Sequence, residues 1–154
     1  MFRPTVCLDL DGVLAHYDGW KGIEHIGEPI AGAVQFTKEL SKFCKITIFT
    51  TRCKEYLNKA PAPPGAAEPD RRPAVQLVQI IANWLNQHGF FYDTIYAEQG
   101  KPFGVAYIDD RAVCCRPQDS ATPDFEYQFA LAAIATLCDS LRRKDVSKVA
   151  MSGG

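Results

Sequence analysis

The chain has 154 residues, 47% hydrophobic and 23% charged, enough for one domain with a core of its own. That balance excludes a wholly disordered chain, a collagen and a coiled coil. Lys plus Arg number 17 against 18 Asp plus Glu, and the net charge of −1 argues against a protein built around nucleic-acid phosphates.

In chain order, residues 5–10 form an apolar run that stops at Asp11-Gly12 and predict a buried strand. Residues 15–30, rich in Gly and aromatics, predict a loop or small hairpin. Ala33, Phe36, Leu40 and Phe43 have helical spacing over 32–44. The β-branched run 45–50 predicts a second strand. Pro61, Pro63, Pro64, Pro69 and Pro73 make 59–73 a proline-rich loop. Val75, Val78, Ile81, Ala82 and Leu85 predict a helix over 74–88 that stops at Gly89. Short strands follow at 93–97 and 104–108, then a long helix from Pro123 to about 141. The expected organisation is one domain over 1–142 with a flexible tail at 143–154.

Alternating short apolar strands and helices predict an α/β domain with a doubly wound parallel sheet and helices on both faces. The apolar stretches are too short to span a bilayer, so no membrane partner is expected. Met1-Phe2-Arg3-Pro4 leads directly into the first strand without a signal-peptide core, so a cytoplasmic location is expected. Cys7, Cys44, Cys53, Cys114, Cys115 and Cys138 contain no Cys-x-x-Cys pair. They read as reduced thiols, with the vicinal Cys114-Cys115 pair a weak redox candidate. His16, His25 and His88 have no metal-ligand spacing.

In a parallel sheet the active site lies beyond the carboxyl ends of the strands. The first strand ends in Asp9-Leu10-Asp11-Gly12, the second in Thr50-Thr51-Arg52, and the last in Asp109-Asp110-Arg111, with Lys101 just before it. Asp9 and Asp11 are two apart, so an extended chain projects them to one side. Four crowded carboxylates need a neutralising charge, and Mg²⁺ with its oxygen ligands supplies one. Thr50 and Lys101 complete a pocket for a phosphoryl group. Gly12, Thr51, Arg52 and Arg111 are candidate substrate contacts. Asp-Gly is also a plain turn signal, Thr51 suits a helix N-cap, and Arg52 suits a surface cation. Arg111 equally suits an ion pair with Asp109. Tyr17, Trp20 and His16 either meet substrate or pack the hairpin.

These residues resemble the haloacid dehalogenase-like hydrolase superfamily over roughly 4–111. Asp9-Leu10-Asp11-Gly12-Val13 matches its first motif and 46–50, ending in Thr50, its second. Lys101 matches its third motif, and Tyr107-Ile108-Asp109-Asp110 its fourth. The resemblance implies Asp9 as nucleophile forming an aspartyl-phosphate and Asp11 as general acid/base with its carbonyl on Mg²⁺. It implies Thr50 and Lys101 on the phosphoryl group, Asp9 and Asp110 at the metal, and Asp109 either as a further ligand or supporting the ligands from behind. Asp11 points to the phosphoryl-transfer branch rather than the dehalogenases. Neither cap position has room for a cap, which implies an open site for large substrates or a lid lent by a second subunit. The expected activity is a Mg²⁺-dependent phosphomonoesterase acting on a phosphorylated small molecule or macromolecule. The Asp-Asp-Arg ending resembles polynucleotide 3′-phosphatases, which makes nucleic-acid ends the alternative substrate. A non-catalytic phosphate-binding module is the other alternative. A phosphorylation-receiver domain is disfavoured, because Lys101 precedes the acidic pair.

Overall fold

Thr5–Leu8 forms β1 and Lys45–Ile48 forms β2. Cys7, Leu8, Ile46 and Ile48 are all buried, so these strands are covered on both faces, as parallel strands are. The computed structural model describes residues 2–53, 72–98, 100–113, 131–136 and 138. The edge strands are short, with β3 at Thr94–Ile95 and β4 at Ala106–Ile108. Among the described residues these four strands pair in parallel, in the order β3-β2-β1-β4. The fold is a mixed α/β fold on a four-stranded parallel sheet.

Each strand is shorter than its apolar run. Extended pairing continues briefly past the ladder, as Phe49 N–H donates to Leu8 O (2.8 Å) and Tyr96 N–H to Ile48 O (2.8 Å). The chain then turns away to place polar side chains at the carboxyl edge.

Helix α1, Ala33–Ser41, joins β1 to β2, and α2, Arg72–Gln87, precedes β3. Right-handed crossovers put both on one face of the sheet. Of the helix expected over 123–141, residues 131–136 and 138 are helical. The chain divides into two compact units, Met1–Asp110 with the sheet and Arg111–Gly154, so the domain expected over 1–142 spans both.

Two helix faces differ from the spacing-based expectation. In α1 the buried residues are Ala33, Thr37 and Leu40, while Phe36 and Phe43 are exposed. Thr37 is buried because its hydroxyl is satisfied twice. It donates to Val34 O (2.9 Å) and accepts from Phe91 N–H (3.3 Å). In α2 the buried row is Leu77, Ile81 and Leu85, and Val75 is exposed. The helix also begins earlier than expected, taking in Pro73. Proline fits a first turn, where its missing N–H would have had no partner.

The stop at Gly89 is a Schellman motif. Phe90 N–H donates to Leu85 O (2.9 Å), Gly89 N–H donates to Asn86 O (3.2 Å), and Gly89 has φ +74°. Phe90 and Leu85 are both buried, and Phe90 stacks on Trp84 at 5.1 Å.

Among the described residues, Cys7, Cys44 and Cys53 are buried free thiols and Cys138 is an exposed one. Burial pushes the Cys53 thiol up to about 11 despite nearby Arg52, which suits packing rather than reactivity. No helix among the described residues is long and apolar enough to cross a membrane. Cys114-Cys115, residues 59–71 of the proline-rich loop and the 143–154 tail lie outside the described residues.

Candidate active site at the carboxyl edge of the sheet

The register assembles the site. Leu8 pairs with both Ile48 and Ile108, so β1, β2 and β4 end level with one another. The next residue on β1 is Asp9, whose N–H donates to Ile108 O (2.9 Å), and Asp109 and Asp110 follow Ile108. The strand order reverses at β1, because β2 and β3 lie on one side and β4 on the other. Crevices at such switch points are where open α/β sheets bind ligands.

Carboxylate oxygens of Asp9, Asp109 and Asp110 lie within 4.8 Å of one another. Asp9 Oδ1 accepts from Leu10 N–H (2.7 Å). Burial is the main force on Asp9 and pushes its carboxyl up to about 7. The Leu10 N–H opposes the rise, and the charges of Asp109, Asp11 and Asp110 add to it. Three clustered carboxylates are a hard, all-oxygen donor set that could hold a divalent cation.

Asp11 stands apart from that cluster, contrary to the expectation from its spacing. β1 ends at Leu8, and the chain turns at Leu10, whose carbonyl accepts from Leu14 N–H (2.9 Å) and Ala15 N–H (2.9 Å). The Asp11 carboxylate faces Arg52 instead. Nε donates to Oδ2 (2.6 Å) and Nη2 to Oδ1 (2.8 Å), a bidentate pair. Arg52 is no surface cation, being only 6% exposed. Its guanidinium lies 5.1 Å from the Trp20 ring centroid, and its buried Nη1 has no hydrogen-bond partner among the described residues.

Thr50 is buried at the end of β2, and its hydroxyl oxygen accepts from Arg52 N–H (3.3 Å). It therefore caps the short 3₁₀ turn Thr51–Cys53, the role expected of Thr51, which is exposed. Gly12 N–H already donates to Ala15 O (2.8 Å), so it is not free for a substrate. Gly12 makes room instead. Its φ is +87°, and a Cβ there would lie 2.5 Å from Asp110 Oδ2. Lys101 is exposed, with Nζ 3.9 Å from the Tyr107 ring centroid. Burial pushes the Cys7 thiol up, and the Lys101 charge offsets part of that rise. Arg111 is exposed and opens the second unit.

No family model and no curated protein matches the chain. A conserved protein from Bacteroides thetaiotaomicron has a similar solved structure, at 21% identity and a TM-score of 0.46. The match covers 73% of this chain and 79% of that one.

The site's chemistry follows from its own geometry. A half-buried carboxylate beside two more can share a cation and present an oxygen to an electrophile. A fourth carboxylate, two residues on, is held separately. The Arg52–Trp20 contact and the fit of Asp110 against Gly12 are the features that sequence reading missed. Each joins segments far apart in the chain, and nothing at either position alone signals its partner.

Proposed function

We propose that the chain is a Mg²⁺-dependent phosphohydrolase of the haloacid dehalogenase-like type. The observation that carries this reading is the Asp9–Asp109–Asp110 cluster at the strand-order reversal, with Asp11 held apart. Mg²⁺ bound by the cluster would neutralise its charge and polarise the phosphoryl group. An Asp9 oxygen attacks phosphorus, and the bond from phosphorus to the leaving oxygen breaks. Asp11 gives that oxygen a proton. Asp11 then takes a proton from water, whose oxygen attacks phosphorus and releases phosphate from Asp9. Both Asp11 oxygens accept from Arg52, so one of those bonds must open for Asp11 to hold a proton. Thr50 and Lys101 supply donors to the phosphoryl oxygens.

The test is turnover of an aryl phosphate with Mg²⁺ and with a chelator. Hydrolysis that stops on chelation and returns with Mg²⁺ is expected; chelator-insensitive turnover refutes the reading. A panel of phosphorylated metabolites and 3′-phosphorylated oligonucleotides then sets the substrate class. Steep salt dependence with the oligonucleotides would mark nucleic-acid ends.

A further inference from the structure

We propose that Arg52 is a positioning residue that keeps the Asp11 carboxylate out of the Asp9–Asp109–Asp110 cluster, with Trp20 holding the guanidinium in place. This rests on reading that cluster as a cation site.

Three observations support it. First, the bidentate pair occupies both Asp11 oxygens, and Asp11 is absent from the clustered carboxylates although only Leu10 separates it from Asp9. Second, Arg52 is a costly way to stabilise a fold. A buried guanidinium gains little from one ion pair once desolvation is counted, and here Nη1 remains unpartnered. Third, Trp20 is 51% exposed, yet its ring rests against the one arginine that grips Asp11.

The planar fork fixes both the distance and the rotation of the carboxylate, which a lysine's point charge would not. With the fork removed, Asp11 is free to turn toward its neighbours. It would then serve as a fourth cation ligand and be lost as a proton carrier. Arg52 thus separates two jobs among carboxylates that sequence places side by side.

Mg²⁺ binding measured by titration calorimetry tests this independently of turnover. Arg52→Ala should tighten Mg²⁺ about tenfold, because a fourth carboxylate joins the site. In an Asp11→Asn background the same substitution should leave affinity within about twofold. Loss of positive charge alone would tighten binding equally in both backgrounds, and that result overturns the proposal. So does an unchanged or weaker affinity in Arg52→Ala. Trp20→Ala, at a half-exposed position, keeps the test open if Arg52→Ala does not fold. It should tighten Mg²⁺ about twofold, and no change overturns the role given to Trp20. Failure of the unaltered protein to bind Mg²⁺ overturns the cation site itself. Binding there without the Arg52 effect overturns only the present inference.

Discussion

The two ends of the sheet each hold an arginine near an aspartate, and they use them differently. At the amino end, Arg3 Nη2 donates to Ser41 O (2.7 Å) and to Cys44 O, carbonyls at and just past the end of α1. Asp93 there accepts from Ile46 N–H (2.8 Å) and lies 3.9 Å from Arg3. Both side chains are spent on backbone groups that would otherwise lack partners. At the carboxyl end, the Arg52 guanidinium donates to the Asp11 carboxylate, and Asp9, Asp109 and Asp110 crowd together beyond it. Polar groups consumed by the backbone mark a structural role. Like charges crowded against their own repulsion are the pattern that functional sites share.

The sharpest way to break this contrast is Asp9→Asn. Under the proposed function it should lower aryl-phosphate turnover by about a thousandfold or more, because the amide is not a nucleophile. It should also raise the melting temperature at pH 8, since a desolvated charge beside three others is removed. A destabilised mutant, seen by calorimetry, would class Asp9 with the structural acids.

Gly12→Ala comes next. The new Cβ meets the Asp110 carboxylate and the backbone is left-handed, so Asp110 must move. Turnover should fall about a hundredfold, with a stability loss of about 1–2 kcal/mol. Normal kinetics would show that Asp110 need not sit there.

Arg3→Ala probes the opposite end. It should cost about 1 kcal/mol in denaturant unfolding and leave kcat and KM unchanged. An altered kcat would erase the division between the two ends.

A further expected effect is on the pH dependence of stability. Asp9 has a folded pKa of about 7 against an ordinary carboxylate value of about 3.9 when unfolded. Between those values the folded state holds a proton that the unfolded state has released. The stability from this group is therefore complete below about pH 4 and is lost as pH rises through about 7. Mg²⁺ should replace the missing proton, raising the melting temperature more at pH 8 than at pH 5. An equal rise at both pH values would place Mg²⁺ binding away from Asp9.

Strand identities and the polar edge were legible because both depend on runs of neighbouring residues. A buried parallel strand is apolar throughout, and its end is marked by the first polar residues, as at Asp9 and Asp109. Helix faces were less legible. Phe36 and Phe43 fit a helical stripe as well as Thr37 does not, yet Thr37 is the buried residue. The Phe91 N–H that satisfies its hydroxyl comes from a distant segment. The pairing of Arg52 was illegible for a related reason. A lone arginine after a strand reads as solvated unless its partner is known, and Asp11 lies 41 residues away.

The level ending of β1, β2 and β4 has a consequence for folding. Parallel strands of three or four residues hold few ladder bonds, so a slipped β4 costs little in hydrogen bonding alone. Yet a slip of one residue would carry Asp109 about 3.3 Å along the strand and reverse the faces of Ala106, Tyr107 and Ile108. A slipped sheet could keep its helices, and much of its circular dichroism, while the three acids no longer met. Under the proposed function, cation binding at this edge would therefore read out strand alignment to within one residue, more finely than any measure of secondary-structure content.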